Sequence, residues 1–214
     1  MKSIEIFEAA PTAVAPTPLE NPSKDIKSTS DESVRSPAFN TKLTKIASNL
    51  GVDKSDLFRI MSFESGLNPA AGPNSVGAVG LIQFKPETAR DLGTTTDALR
   101  AMTAVKQLDY VEKFYKKNGV KPGMDLGDLY LMTYVPAAVS MSKSDNFVLG
   151  VDPASTRWNN EEKYGKPFPR DKRLTRANNW AQNPSFTKIP LSEKPPRDYF
   201  TVGDVKKYIL AYRH

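Results

Sequence analysis

The chain of 214 residues contains no cysteine and a single histidine, His214, at its last position. Without cysteine there is no thiol nucleophile, no disulfide framework and no cysteine-ligated zinc. With one histidine, a Ser-His-Asp triad and an HExxH zinc site are excluded unless that last residue takes part. The remaining chemistry is that of carboxylates, hydroxyls, amides and lysine, and we expect no metal or other cofactor.

Long apolar runs are also absent from the sequence. The longest uncharged helix candidate, LYLMTYVPAAVSM, is interrupted by Pro136, so no membrane span is expected. Glu5 and Glu8 stand where a signal peptide needs an apolar core, and no Sec-type leader is expected.

The formal net charge of +6 favours an anionic partner. Acidic cell-wall polymer, membrane surface and nucleic acid all fit this charge. The basic residues of 163–176 and 205–213 are not interleaved with aromatic residues in a nucleic-acid-binding motif, so nucleic acid is not expected.

Proline content and helical periodicity predict an all-α protein with three regions. Residues 1–38 are rich in Pro, Ala and Ser and predict an arm that docks to partner chains. Residues 39–149 predict a helical domain. Residues 150–214 predict an irregular excursion that closes in a helix capped by Thr201 and Asp204. No strand is predicted.

Capping residues and glycine stops set the predicted helix limits. The predicted helices run from Asn40 or Thr41 to Gly51, from Asp53 to Gly66, from Pro86 to Gly93, from Thr95 or Thr96 to about Asn118, and from Asp125 to Pro136.

One acid lies in line with apolar side chains in the second predicted helix. Glu64 shares a helix face, at spacings of i, i+3, i+4 and i+7, with Leu57, Ile60 and Met61. Gly66 places Glu64 in the last turn, near unpaired carbonyl groups. Apolar surroundings and these carbonyls disfavour the ionised form, so we expect a raised pKa for Glu64. A protonated carboxylic acid is the proton donor that glycosidic bond cleavage requires. A glutamate that reaches solvent and pairs with a lysine is the alternative.

Three pieces of sequence follow in order: Glu64-Ser65, the segment NSVGAVGLIQ at 74–83, and PETA at 86–89. Together they resemble the soluble lytic transglycosylase family, relatives of goose-type lysozyme. The family signature is Glu-Ser at a helix end, a glycine-rich loop closing in Gly-Leu-Met-Gln, and a Pro-x-Thr-Ala helix start; Ile82 replaces the methionine. The resemblance covers about residues 40–140 and implies a lysozyme-like domain that binds and degrades bacterial peptidoglycan.

The resemblance implies that Glu64 is the catalytic acid and then the base, and that Ser65, Ser75 and Gln83 bind substrate. Ser65 would place the N-acetyl or peptide portion, and Gln83 would line the cleft. A glycine-rich loop lets backbone amides approach a saccharide, and a glutamine amide offers both a donor and an acceptor. Ordinary loop polarity for Ser65 and a surface amide for Gln83 are the alternatives.

The third element of the family, Ala-Tyr-Asn, is imperfect in this sequence. Tyr134 is expected to orient Glu64 through its hydroxyl, but Val135 stands in place of the asparagine, which resembles phage-borne members. Asn183, in the segment Trp-Ala-Gln-Asn-Pro, could restore the missing amide. The alternatives are a core role for Tyr134 and a packing role for Asn183.

The signature supplies a single acid, since Glu87, Asp125 and Asp128 have helix-start explanations. A single acid favours protonation of the glycosidic oxygen, then deprotonation of the sugar C6 hydroxyl to form a 1,6-anhydromuramoyl end. Lysozyme-type hydrolysis by water is the alternative.

The phage-like features and the arm predict a virion protein of a phage tail or baseplate. It would attach through residues 1–38 and act in the bacterial periplasm and cell wall during genome delivery. A free endolysin and a catalytically silent structural tail protein are the alternatives.

Overall fold

The computed structural model describes residues 33–141, 144–151, 197 and 199–212. Most of these residues are helical, as the all-α class predicts. The helices are α1 (Pro37–Leu50), α2 (Lys54–Ser65), α3 (Pro86–Asp91), α4 (Thr96–Arg100), α5 (Ala104–Lys117), α6 (Leu126–Tyr134), α7 (Pro136–Met141) and α8 (Val202–Ala211); the strands are β1 (Val148–Val151) and β2 (Tyr199–Thr201). Residues 1–32 of the predicted arm and Asn183 lie outside the described residues.

Helix α1 begins before its predicted start. The Ser36 side chain accepts a hydrogen bond from the Phe39 amide, and Pro37 occupies the first helical turn. A start at Asn40 or Thr41 is therefore wrong, because a Ser-Pro pair supplies both the cap and a preset first turn. The predicted end at Gly51 is confirmed by its left-handed backbone, with φ of 70°.

Helix α2, which carries Glu64, begins and ends as predicted. The Asp53 carboxylate accepts from the Ser55 amide at 2.7 Å. Gly66, with φ of 61°, ends the helix, and its amide bonds back to the Ser62 carbonyl at 2.8 Å. Both contacts join residues that are close together in the sequence, so the capping residue and the glycine predict the two ends of the helix directly.

The single helix predicted from Thr95 or Thr96 to about Asn118 is wrong. The chain forms two helices, α4 and α5, with separate caps at Thr95 and Thr103. The Thr103 hydroxyl accepts from the Lys106 amide at 3.4 Å, so a second capping threonine restarts the helix after Ala101.

The expectation of no strand is also wrong, because β1 and β2 form a small antiparallel sheet. Strands of four and three residues are too short to show an alternating pattern in the sequence. Directly after β2, α8 starts with the predicted capping box. The Thr201 hydroxyl accepts from the Asp204 amide, and the Asp204 carboxylate accepts from the Thr201 amide.

Helix α8 packs against α6, while α1 packs against α5 and α2 packs against both α1 and α6. All of them contribute to one hydrophobic core, represented by Leu43, Ile60, Leu108, Leu129 and Ile209. Helix α8 therefore contributes to the same core as α2. The domain limits at residues 38 and 149 stay a prediction. No helix in the described ranges is long and apolar enough to cross a membrane.

Candidate active site

Glu64 lies in the last turn of α2, on the buried face that the periodicity predicts. Ile60 and Met61 are fully buried, and the Glu64 side chain is only 9% exposed. The next residues form the glycine-rich loop, so the carboxyl stands where a packed helix gives way to irregular backbone. This confirms the expected placement of Glu64.

Burial raises the pKa of Glu64 to about 8, against a weaker, opposing effect of the Lys85 charge. No residue in the described ranges donates a hydrogen bond to this carboxyl that would favour its ionised form. The predicted rise is therefore confirmed, and its cause is removal from water. The group holds its proton at neutral pH.

Glu64 interacts electrostatically with two buried tyrosines. Ionised Glu64 raises the pKa of Tyr115 and Tyr130, in addition to the larger effect of burial on both phenols. The Tyr115 hydroxyl is 2.8 Å from the Thr133 hydroxyl, which donates to the Leu129 carbonyl at 3.0 Å. Tyr115 therefore donates to Thr133, and neither phenol supplies a charge that would stabilise a Glu64 carboxylate.

The sequence pointed instead to Tyr134. Its ring stacks on that of Tyr130, with centroids 6.4 Å apart and planes 9° from parallel. Tyr134 thus belongs to the same aromatic group as Tyr130, one ring further along. Since no described residue donates a hydrogen bond to the Glu64 carboxyl, the expected bond from the Tyr134 hydroxyl to Glu64 is not formed. Tyr115 and Tyr130 occupy helix faces whose periodicity marks them as buried, but no spacing in the sequence indicates their nearness to Glu64.

Ser65 is buried, and its hydroxyl contacts the carbonyl oxygens of Met61 and Leu81, each at 3.0 Å. One contact is within α2, and the other joins α2 to the far end of the glycine-rich loop. The hydroxyl has one hydrogen to share between these two acceptors. Ser65 therefore attaches the loop beside Glu64, and its contact with substrate stays a prediction.

The loop is organised from within by Asn74. Its side-chain oxygen accepts from the amides of Val76 and Ala78, each at 3.0 Å, and its nitrogen donates to the Gln83 side-chain oxygen at 3.3 Å. Ser75 is exposed next to Asn74. Hydrogen bonds within the loop therefore fix the tip that carries Ser75.

Gln83 adopts a left-handed backbone, with φ of 52°, and its side-chain nitrogen donates to the Gly80 carbonyl at 3.1 Å. With Asn74 bonded to its oxygen, one N–H and one lone pair of the amide stay available. Gln83 is half-buried, so that remaining capacity can face a ligand. Its substrate contact stays a prediction.

The other candidate acids lie at helix starts, as the sequence predicts. Glu87 is exposed in the first turn of α3. Asp125 caps α6 by accepting from the Asp128 amide at 2.9 Å, and the Asp128 carboxylate pairs with Lys206 at 2.7 Å. Among the described charged side chains, only Lys85 shifts the pKa of Glu64. Sequence reasoning missed Lys85, which is exposed at the start of α3.

The arrangement is a helical domain in which the buried Glu64 carboxyl adjoins a polar, glycine-rich loop. Residues 42–113 match the family model of the Transglycosylase SLT domain. The matched span contains Glu64, Ser65 and Gln83 and reaches α5. This match supports a lytic transglycosylase domain in residues 42–113, for which peptidoglycan is the implied substrate, and the resemblance drawn from the sequence is confirmed for that span.

Comparisons with curated proteins and with solved structures give no match. The resemblance to phage-borne members stays a prediction. Within the described ranges, no group of three or more His, Cys, Asp or Glu side chains is placed to hold a metal ion.

Proposed function

We propose that this protein cleaves the β-1,4 bond between MurNAc and GlcNAc in bacterial peptidoglycan, with Glu64 as acid and then base. The observation that carries the proposal is the burial of Glu64, which raises its pKa to about 8, within an SLT domain. A group with this pKa is about nine-tenths protonated at pH 7. It can therefore donate a proton at neutral pH.

In the first step, Glu64 gives its proton to the glycosidic oxygen while the bond from that oxygen to C1 of MurNAc breaks. Positive charge then develops on the sugar ring, and GlcNAc leaves with its hydroxyl restored. The Glu64 carboxylate is now ionised in a site that disfavours charge, so it is a strong base there. The nearby Lys85 charge lowers the pKa of Glu64 and partly stabilises this short-lived carboxylate.

In the second step, the carboxylate takes the proton of the MurNAc C6 hydroxyl as that oxygen bonds to C1. The product is a 1,6-anhydromuramoyl end, Glu64 is protonated again, and no water is consumed. Support for this route over hydrolysis comes from the electrostatics of the site. In the described part of the chain, no second carboxylate affects the pKa of Glu64, whereas glycoside hydrolases pair two acids across the bond.

We assign contacts with the saccharide to Gln83, Ser75 and Tyr134. Gln83 has a donor and an acceptor to spare, and Ser75 is exposed on the same loop. Tyr134 is half-buried on α6, in the aromatic group next to Glu64. A water held by Gln83 or Tyr134 would give the hydrolytic alternative.

Substitution of Glu64 by glutamine tests the proposal. The amide keeps the shape of the side chain but cannot donate the proton, so clearing of purified sacculi should fall by several orders of magnitude. The matched control is Glu87→Gln, which removes an exposed acid of α3 and should clear sacculi at the wild-type rate. If wild type and Glu64→Gln clear equally, or neither clears, the enzymatic proposal is wrong, and a structural protein with this fold is favoured.

We further propose that the protein is carried on a phage tail or baseplate, attached through residues 1–38, and opens the wall during genome delivery. The Pro-, Ala- and Ser-rich composition of residues 1–38 and the variant third element at 133–138 support this role. Gel analysis of purified phage particles should show the protein as a component. Its absence from particles would favour a free endolysin.

A further inference from the structure

Helix α5 contributes one fully buried amide, Gln107, whose side chain is 0% exposed. Its oxygen accepts from the Leu81 amide at 2.9 Å. Its nitrogen donates to the carbonyl oxygens of Pro69 and Leu99, at 2.5 and 2.7 Å. The opposite amide orientation would place hydrogens against an N–H and an oxygen against two carbonyls, so the three partners fix the orientation.

The partners of Gln107 are spread over three segments that are distant in sequence. Pro69 lies near the start of the glycine-rich loop, Leu81 lies near its end, and Leu99 belongs to α4. One side chain therefore joins both ends of the loop to α5. The bonds to Leu81 and Leu99 are buried, and the bond to Pro69 is partly buried. The Leu99 carbonyl also accepts from the Met102 amide. The main cost of losing the Gln107 amide is therefore a buried Leu81 N–H left without its hydrogen bond.

Gly80 makes this close approach possible. A Cβ on Gly80 would stand only 2.6 Å from the Gln107 side-chain oxygen, and the Gly80 backbone has φ of 76°. Both the contact and the backbone angle require glycine at this position. The loop sequence is thus fitted to the Gln107 side chain.

Leu81 connects Gln107 with the end of α2 that carries Glu64. The Leu81 amide donates to Gln107, while the Leu81 carbonyl contacts the hydroxyl of Ser65, the residue next to Glu64. Leu81 is therefore held between α5 on one side and the end of α2 on the other. Gln83, two residues further along, takes its position relative to Glu64 from this attachment.

We propose that Gln107 is a positioning residue, which fixes the loop that carries Gln83 against the helix that carries Glu64. It does not touch substrate. The inference rests on the proposed function of the Glu64 site. Its effect on turnover arises because a catalytic arrangement displaced by about 1 Å can lose about a hundredfold in rate.

The test uses Gln107→Met, which has a similar volume and no polar group. The matched control is Val111→Ala, one helical turn along α5, where a buried apolar side chain is shortened. We measure amide hydrogen exchange at Leu81 together with turnover on purified sacculi, well below the melting temperature of each variant.

Gln107→Met should speed exchange at the Leu81 amide by about tenfold or more, leave amides in the middle of α1 protected, and lower turnover about ten- to a hundredfold. Val111→Ala should lower the melting temperature while both Leu81 exchange and turnover stay within about twofold of wild type. Unchanged Leu81 exchange and turnover in Gln107→Met would overturn the proposal.

Two outcomes separate this proposal from the function on which it rests. If Gln107→Met does not fold, amide hydrogen exchange in the wild-type protein provides the test. In wild type, the Leu81 amide should be strongly protected, whereas the amide of Ser75 at the exposed loop tip should exchange fast. Equal exchange at the two amides would refute the attachment. If wild type does not cleave sacculi but Leu81 exchange responds to Gln107→Met, the attachment is supported and the proposed function is wrong.

Discussion

Replacement of Glu64 by glutamine should stabilise the protein at alkaline pH, in addition to removing activity. The wild-type side chain has a folded pKa of about 8 because it is buried, against an ordinary value of 4.5 in the unfolded chain. Between these values the folded state holds a proton that the unfolded state has released. The stability linked to this proton is fully present below pH 4.5 and is lost as the pH rises through 8.

The size of the effect follows from the pH interval. Each pH unit between 4.5 and about 8 lowers the free energy of unfolding of wild type relative to Glu64→Gln by about 1.4 kcal/mol. The full difference by pH 8 is therefore roughly 5 kcal/mol. It is large against the 5 to 15 kcal/mol of a typical domain. The pKa of Asp56 is also raised by burial, but this residue is the same in both proteins and its contribution cancels.

Urea denaturation followed by circular dichroism measures this difference at pH 5, 6, 7 and 8. The free energy of unfolding of wild type minus that of Glu64→Gln should decrease steadily across the series. Glu87→Gln, at an exposed acid, should show no comparable trend against wild type. A constant difference between wild type and Glu64→Gln from pH 5 to 8 would refute the claim that Glu64 is held protonated by burial.

The other predictions concern the charge near Glu64 and the support of α2. Turnover on sacculi should decrease as the pH rises through about 8, because Glu64 loses its proton there; a profile that stays flat to pH 9 would contradict this. Lys85→Met should move the alkaline limb of that profile to higher pH, because the Lys85 charge lowers the pKa of Glu64. The control is Lys113→Met, at a lysine of α5 that lies over the Tyr110 ring, and it should leave the alkaline limb in place. Arg59→Met should lower the free energy of unfolding, measured in urea, by about 1 to 2 kcal/mol, because the Arg59 guanidinium donates to carbonyl oxygens at the end of α8. Arg90→Met, at an exposed arginine, is the control, and equal effects of the two substitutions would refute the role of Arg59.

The parts of the site that the sequence predicts are those fixed by local contacts. The spacing of Leu57, Ile60 and Met61 places Glu64 on the buried face, and Gly66 ends the helix just beyond it. Each of these features depends on residues within two helical turns, so a pattern in the sequence carries them. The pKa of Glu64 follows from the same placement.

The parts that the sequence does not predict depend on contacts between distant segments. Gln107 bonds to Leu81 across 26 residues and to Pro69 across 38, and no period or motif links them. Lys85 affects Glu64 only because the loop folds back on α2. The pairing of β1 with β2 likewise joins distant segments that are too short to show a strand pattern.

Mass spectrometry of sacculi digested with wild type and with Glu64→Gln tests the central claim most directly. Wild type should release fragments that end in 1,6-anhydromuramic acid, and Glu64→Gln should release none above background. Fragments with reducing MurNAc ends would show that water is the nucleophile. Release of the same fragments by Glu64→Gln, or by neither protein, would contradict the assignment of this buried carboxyl as the group that cleaves the glycan.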